Sequence, residues 1–301
     1  MSSQPETPAP REIRVRVAGR VTTDALEDYV AATALSEITP VGESAETVAR
    51  VYDVQTIVAR TYALAHVGRH RAEGFDLCDG THCQLYEPAR LATSRFADEV
   101  RRATARTANR ILTYGDSAAA SPIDALFHAD CGGHTSSPQQ VWGSTGLPYL
   151  QAEPDDAPAV KHRSWSLTLT RFDLLEAHDA DRRTAVGDRL RSVVLDGKDS
   201  SGRVSRVTVA GSGARITMRS DDFRNAVNKR LGPRAMMSTR FSMSIGPNGA
   251  DYVLNGTGFG HGIGLCQVGA LARARRGAPA PEILAVYFPG ARLSTLSVKL
   301  P

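Results

Sequence analysis

The chain has 301 residues, of which 42% are hydrophobic and 23% are charged, proportions that are ordinary for a globular protein of one large or two smaller domains. Its formal charge of +4 is a mild excess, which suits an acidic polymer as a partner and gives no sign of nucleic-acid binding. No apolar run reaches the roughly 18 residues of a membrane span, so no transmembrane segment is expected in this chain.

The chain begins with the polar, proline-rich stretch MSSQPETPAP. Residues 1–11 are therefore expected to be a disordered leader or a cloning remnant, and not a signal peptide. Without a signal peptide, either the protein is cytosolic or a leader has been removed. The remaining residues, 12–301, are expected to form a single domain, since no repeat or long linker interrupts them.

The first half of the chain is predicted to be mainly helical. Residues 24–39 predict a helix that Pro40 ends, and residues 44–71 predict a long helix that is apolar on most sides and therefore buried. The other predicted elements here are a strand over 11–19, a loop over 75–88, a helix over about 94–108, and strands over 109–114 and 121–129.

From residue 162 onward the pattern changes to strands and turns, and it stays strand-rich to about residue 254. The predicted elements are a strand over 162–170, hairpins over 189–211 and 240–256, a strand over 213–219, and helices over 220–231 and 267–276. Helices followed by hairpins indicate an α+β fold. We expect the long buried helix, the hairpins and a glycine-rich loop to form a substrate cleft.

That glycine-rich loop is NGTGFGHGIGLCQVGA, which begins at Asn255 and has glycine at every second position from Gly256 to Gly264. The spacing matches neither of the usual phosphate-binding glycine patterns, so a nucleotide site is not predicted. In an extended segment, alternating glycines leave one edge without side chains, which a backbone or a sugar ring could approach closely.

A glutamate stands out on the apolar face of the first predicted helix. At 100° per residue, Glu37 falls on the same stripe as Leu26, Val30 and Thr33. Burial raises the pKa of a carboxyl group, and a raised pKa is what a general acid needs. The alternative is that Glu37 only ends the face and pairs with an arginine such as Arg60.

Four motifs occur in one order along the chain: EDYVAATALSEITP with VQTIVARTYAL, then FDLCDGTHCQLY, then PIDALFHADCGGHTSSPQQVWG, then GFGHGIGLCQVGA with EILAVYFPG. Together they resemble the stage II sporulation protein D family, also described as amidase-enhancer or LytB-like proteins. The resemblance spans roughly residues 12–293.

The resemblance implies a lytic transglycosylase that cuts peptidoglycan glycan strands, preferably strands freed of stem peptides. Glu37 matches the family's acid. It would protonate the oxygen between MurNAc and GlcNAc and then deprotonate the MurNAc 6-hydroxyl, leaving a 1,6-anhydroMurNAc end without a cofactor. A hydrolase would need a second acid, for which Asp53 and Asp130 are the nearest motif candidates.

The resemblance also suggests residues that bind the glycan. Arg60 could attract the lactyl carboxylates of MurNAc, or it could hold the Glu37 carboxylate in place. The further candidates for the same cleft are Gln55, Tyr62, His128, His261 and Gln267. A lone histidine in such a motif is more often a structural group, so His261 either touches sugar or holds its loop.

The CDGTHC loop has the residue types of a metal site. Cys78, His82 and Cys83, with His70 upstream, are the ligand types of a tetrahedral structural zinc site. The spacing is unusual, because adjacent His82 and Cys83 are awkward as joint ligands. A Cys78–Cys83 disulfide and two free buried thiols are the alternatives, and zinc in this loop of some relatives favours the metal.

Cys131 and Cys266 occupy positions where the family more often has small hydroxyl residues. Because both belong to glycine-rich motifs that should meet, a disulfide between them is predicted. The alternative is two small buried residues that happen to be cysteine.

Two other functions compete with the enzyme. One is a glycan-binding module that stimulates a cell-wall amidase without cutting, and the other is a zinc hydrolase built on the CDGTHC loop. No H-E-x-x-H or similar motif supports the hydrolase. The expected partners are glycan strands and an amidase, and the substrate implies an extracytoplasmic location.

Overall fold

A computed structural model of the chain describes residues 11–115, 121–157, 160–179, 184–247 and 249–296. The predicted leader therefore lies outside the described residues, apart from Arg11. The helices of the described part are α1 (Leu26–Glu37), α2 (Ala45–His66), α3 (Arg90–Thr93), α4 (Ala97–Arg106), α5 (Pro138–Trp142), α6 (Arg171–Asp179), α7 (Ser220–Leu231), α8 (Gln267–Arg275) and α9 (Ala280–Tyr287).

The described residues also form several small β-sheets, and this mixture of helices and sheets confirms the predicted α+β class. The strands of the described residues are β1 (Glu12–Val17), β2 (Arg20–Ala25), β3 (Leu77–Cys78), β4 (Arg110–Tyr114), β5 (Ser121–Pro122), β6 (Phe127–His128), β7 (Ser164–Leu169), β8 (Leu190–Lys198), β9 (Val204–Gly211), β10 (Arg215–Arg219), β11 (Phe241–Ile245), β12 (Tyr252–Thr257), β13 (Leu265–Cys266) and β14 (Arg292–Thr295).

The chain folds into two compact units, each with its own core. Unit 1 comprises residues 1–126 and 270–301, and unit 2 comprises residues 127–269. The prediction of one domain over residues 12–301 concerns the chain as a whole and stays a prediction. None of the helices in the described ranges combines the length and apolar character needed to cross a bilayer.

Unit 1 is built around the long helix α2. The Ser44 hydroxyl caps its first turn by accepting from the Thr47 N–H, and most of its side chains are buried, as the sequence predicts. Helices α1 and α4 pack against it around Tyr52, Leu35 and Val100. Two small sheets, with strand orders β2-β1-β3 and β14-β4-β5, complete this unit.

Some of the sequence-based boundaries are wrong. Residues 24 and 25, predicted as the start of the first helix, instead end strand β2, so α1 begins at Leu26 after Ala25, which makes no side-chain cap bond. The strand predicted over 121–129 is two short strands, β5 and β6, which belong to different sheets. Local propensity does not reveal either pairing partner, because both pairings are set by tertiary contacts.

Unit 2 contains two antiparallel three-stranded sheets, ordered β10-β9-β8 and β11-β12-β7, and a parallel pair of β6 with β13. Its apolar core includes Phe223, Leu254, Val207 and Leu174. The hairpins and α7 agree with the sequence analysis, which did not predict α5, α6 or α9. The pair of β6 with β13 brings the two ends of this unit together.

Candidate active site and candidate metal centre

Glu37 is the last residue of α1, on the apolar face that the helical periodicity predicts. Leu26, Val30 and Thr33 on that face are buried, while Glu37 is only partly buried. Burial raises the pKa of the Glu37 carboxyl to about 7, although a hydrogen bond from the Leu85 N–H to Oε1 at 2.7 Å opposes the shift. The carboxyl group is therefore poised to give or take a proton near neutral pH.

The segment that holds Glu37 follows the CDGTHC loop directly. Gln84 is buried, and its Oε1 accepts a hydrogen bond of 3.1 Å from the hydroxyl of Tyr29 on α1. The next residue, Leu85, donates its N–H to Glu37, and the Glu87 N–H donates to Ser36 at 3.0 Å. Three hydrogen bonds thus join α1 to residues 84–87, two of them at the end of the helix.

The predicted metal ligands converge in the same loop. One ligand atom from each of His70, Cys78, His82 and Cys83 lies within 4.8 Å of the other three. The Cys83 sulfur is 3.5 Å from His70 Nε2 and 3.8 Å from His82 Nδ1, and the Cys78 sulfur is 3.9 Å from His82 Nδ1. His82 and Cys83 therefore reach one point although they are adjacent in sequence.

The surroundings of this cluster also fit a metal ion. His70 Nδ1 lies 2.6 Å from Glu73 Oε1, and a carboxylate behind a ligand histidine commonly fixes the orientation of its ring. Cys78 and Cys83 are free thiols in the structure, so the alternative disulfide is not formed there. Two sulfurs and two imidazole nitrogens match the ligand set of structural zinc.

In unit 2, His261 makes a hydrogen bond with each ring nitrogen. Its Nδ1 accepts from the Ile263 N–H at 3.0 Å, and its Nε2 donates to the Phe127 carbonyl at 3.0 Å. Burial, together with the guanidinium groups of Arg224 and Arg203, lowers the pKa of His261 to about 3. His261 therefore stays neutral and holds the backbone, one of the two roles that the sequence left open.

The glycine-rich loop is not extended, contrary to the sequence-based expectation. After β12 ends, Gly258 and Gly262 both have φ near +86°, a conformation that favours glycine. An added Cβ would lie 2.8 Å from the Asp130 carbonyl at Gly258 and 2.3 Å from Arg203 Nη2 at Gly262. Within unit 2, Gly258 and Gly262 therefore allow Asp130 and Arg203 to pack closely against this loop.

The remaining predicted residues of unit 2 are buried. Gln267 lies at the start of α8, and His128 lies on β6 with Nδ1 3.1 Å from the Ile263 carbonyl oxygen. Cys131 and Cys266 are free thiols in the structure, although the Cys131 N–H donates to the Cys266 sulfur at 3.2 Å. The predicted disulfide is not formed there and stays a prediction.

Comparison with known proteins finds matches to two family models and to several relatives. A family model described as Stage II sporulation protein, SpoIID, matches residues 17–114, and a model of a domain of unknown function, DUF8618, matches residues 174–264. An uncharacterized protein of Brachyspira hyodysenteriae is 28% identical over 266 residues, which cover 88% of this chain and 65% of that protein.

Two relatives from Bacillus subtilis carry functional names. Amidase enhancer is 25% identical over 284 residues, covering 80% of this chain and 37% of that protein. Stage II sporulation protein D is 28% identical over 203 residues, covering 64% of this chain and 50% of that protein. The chain is therefore similar to stage II sporulation protein D proteins, most clearly over residues 17–114. It spans between 37% and 65% of the length of these three relatives.

The arginine of the α2 motif, Arg60, makes its contacts with other residues of unit 1. The side chain of Arg60 is fully buried, and its Nε and Nη2 donate to the Glu27 carboxylate at 2.8 and 2.6 Å. Its Nη1 donates to the carbonyls of Thr107 and Arg110. Arg60 therefore joins α1 to α2 and to the start of β4, and its carboxylate partner in the structure is Glu27. Its predicted part in glycan binding stays a prediction.

Two other residues of the α2 motif are also buried. Gln55 lies inside α2, and the Tyr62 hydroxyl accepts a hydrogen bond from Arg69 Nη1 at 2.9 Å. The Tyr62 ring stacks on His66, whose Nε2 is 3.3 Å from Asp124 Oδ1. Tyr62 belongs to a network that sequence analysis missed, because Arg69, His66 and Asp124 carry no motif spacing that would connect them.

The two candidates for a second acid are occupied by other interactions. Asp53 forms an ion pair of 2.8 Å with Arg106. Asp130, in unit 2, is buried, and its carboxylate accepts the N–H groups of Gly132 and Arg163 and lies 2.7 Å from His162 Nδ1. These contacts make Asp53 and Asp130 parts of structural networks.

Proposed function

We propose that this protein is a peptidoglycan lytic transglycosylase with Glu37 as its acid and base. The observation that carries the proposal is the Glu37 carboxyl group, which is partly buried, is held by the Leu85 N–H and has its pKa raised to about 7. The match of residues 17–114 to the stage II sporulation protein family model and the relative named Amidase enhancer support a role at the cell wall.

One carboxyl group can carry out both proton transfers. Protonated Glu37 donates its proton to the glycosidic oxygen between MurNAc and GlcNAc as the C1–O bond breaks. The resulting carboxylate takes the proton of the MurNAc 6-hydroxyl, whose oxygen bonds to C1 and forms the 1,6-anhydro ring. The proton on Glu37 is thereby restored, and no water is consumed. A pKa near 7 suits both steps, because acid and base forms are then both populated.

We further propose that His70, Cys78, His82 and Cys83 hold a structural zinc ion. Four protein ligands leave no position for a reacting water, so the ion would supply no chemistry to the glycan. Its effect would be on the loop, which ends two residues before Leu85. Holding Cys83 fixes the segment whose N–H orients the Glu37 carboxylate.

The name Amidase enhancer favours one alternative, a glycan-binding module that stimulates a cell-wall amidase without cutting. The same mild basic excess would serve both functions, since denuded strands carry lactyl carboxylates. Because the substrate is the wall, either function places the protein outside the cytoplasm.

Product analysis separates the two functions. Denuded glycan strands are incubated with the wild type, Glu37→Gln, or Glu87→Gln as a matched control at an exposed glutamate. Mass spectrometry should find 1,6-anhydroMurNAc ends with the wild type and Glu87→Gln, and only background with Glu37→Gln. If the wild type forms no such ends but binds the strands and accelerates an added amidase, the enzyme proposal is wrong.

A further inference from the structure

Unit 2 contains a second cluster of metal-binding side chains, apart from the CDGTHC loop. A ring nitrogen of His128 and the sulfurs of Cys131 and Cys266 all lie within 4.8 Å of one another. Both cysteines have no exposed surface, and His128 is 4% exposed. Two sulfurs and an imidazole at this spacing are soft ligands of the kind that zinc prefers.

The hydrogen bonding of His128 leaves one ring nitrogen available. Its Nδ1 lies 3.1 Å from the Ile263 carbonyl oxygen, which can only accept, so Nδ1 carries the proton. Nε2 then has a lone pair, and it is buried without a hydrogen-bond partner in the structure. A buried acceptor without a partner is unfavourable, and a backbone carbonyl behind the other nitrogen is the usual support of a metal-binding histidine.

We propose that Cys131, Cys266 and His128 bind a second zinc ion, with His128 Nε2 as the nitrogen ligand. Binding replaces two S–H bonds by two Zn–S bonds and releases two protons. The product, Zn²⁺ with two thiolates and a neutral imidazole, carries no net charge, which suits a buried site. The Cys131 sulfur donates to Asp155 Oδ2 at 3.4 Å, and this partly exposed carboxylate gives one of the protons a route to solvent.

The position of the cluster indicates what the ion would do. His128 lies on β6 and Cys266 on β13, the first and last strands of unit 2, and they are paired in register. Cys131 and Cys266 are 135 residues apart in the chain. A metal bond across that span closes almost the whole unit into one loop, and such long-range closures remove much entropy from the unfolded chain. The second ion would therefore stabilise unit 2.

Zinc stoichiometry of the full chain tests the proposal. The protein is produced in zinc-supplemented medium, and its metal is measured by mass spectrometry after gel filtration. We expect two zinc ions per chain in the wild type, one in Cys78→Ser/Cys83→Ser, and one in Cys131→Ser/Cys266→Ser. The metal-dependent rise in the melting temperature of unit 2 should persist in the first double variant and disappear in the second.

Substitutions at histidine provide milder variants and a matched control. His128→Gln keeps both thiols and should reduce the zinc content from two to one. His178→Gln replaces another buried histidine of unit 2 and should leave both ions bound. Cobalt(II) added during refolding of Cys78→Ser/Cys83→Ser should give a thiolate charge-transfer band that His128→Gln weakens. This readout does not depend on enzymatic activity.

Two results would overturn the proposal. The first is a zinc content of one ion per chain in the wild type and the same content in His128→Gln. The second is a non-reducing peptide map in which Cys131 and Cys266 are joined by a disulfide, in protein that has only the ion of the CDGTHC loop. Either result would make the unpartnered Nε2 of His128 a feature of the core and not a ligand.

Discussion

The two units place their family-motif polar groups in contrasting environments. In unit 1, Glu37 is partly accessible, and burial outweighs one backbone N–H, so its pKa is about 7. In unit 2, His261 has both ring nitrogens bonded to the backbone and a pKa of about 3. A shifted pKa alone therefore does not mark an acid–base group. The useful group is one whose proton can still be exchanged with a substrate at working pH.

The largest expected effect is on activity and should separate these two residues. Glu37→Gln should reduce formation of 1,6-anhydro ends by about 100-fold or more, the usual contribution of a general acid–base group. His261→Ala should instead lower the melting temperature, because the Phe127 carbonyl and the Ile263 N–H lose their hydrogen-bond partner. Rates per folded molecule and melting curves measure both.

The pH profile provides the control for that comparison. Folded His261→Ala should keep the wild-type dependence of rate on pH, because a residue that stays neutral contributes no titration. An altered acid or alkaline limb in His261→Ala would show that this histidine takes part in proton transfer, and would remove the contrast between the units.

Glycine substitutions should show how tightly the polar interior of unit 2 is built. Gly262→Ala places a methyl group 2.3 Å from buried Arg203 at a φ of +86°, whereas Gly232→Ala, with φ of +106°, meets nothing within 4 Å. We expect about 3 kcal/mol of destabilisation or more for Gly262→Ala and about 1 kcal/mol for Gly232→Ala. Urea unfolding followed by tryptophan fluorescence measures both, since Trp142 and Trp165 both belong to unit 2. Equal effects would contradict the close approach to Arg203.

In unit 1, two arginine variants test the structural role of Arg60. Arg60→Ala leaves the carbonyls of Thr107 and Arg110 and the Glu27 carboxylate without their donor and should destabilise the protein by about 3 kcal/mol. Arg106→Ala removes half-exposed ion pairs with Asp53 and Glu99 and should change stability by about 1 kcal/mol or less. Circular dichroism during urea unfolding measures both. If Arg60→Ala keeps its stability but loses glycan binding, the substrate role is supported instead.

The sequence predicts much of the candidate site in unit 1 and little of the polar interior of unit 2. The position of Glu37 on the apolar face follows from helical periodicity, and the candidate ligands of the CDGTHC loop follow from residue type. The partner of Arg60 could not be found, because Glu27 lies 33 residues away on another helix and periodicity contains no cross-helix distances. Likewise, the alternating glycines predicted an extended edge. The positive φ values of this loop could not be predicted, because they accompany its packing against Asp130 and Arg203.

The smallest expected effect concerns the pH dependence of stability and depends on Glu37 alone. Its pKa is 4.5 as the ordinary value and about 7 in the folded protein, so the folded state holds the proton more tightly. Between these values the folded chain binds more protons than the unfolded chain, and stability falls as pH rises. The wild type should therefore lose on the order of 1–3 kcal/mol relative to Glu37→Gln between pH 4.5 and 7, with no further change above.

The difference between the two proteins, measured by urea unfolding at each pH, cancels the titration of the cysteines and histidines that they share. Glu87→Gln again serves as the control, because it removes an exposed carboxyl group from the neighbouring segment. A difference for Glu37→Gln that does not change with pH would mean that the Glu37 carboxyl group titrates as in water. Glu37 would then be no better placed for proton transfer than any surface glutamate, and the contrast between the two units would rest on His261 alone.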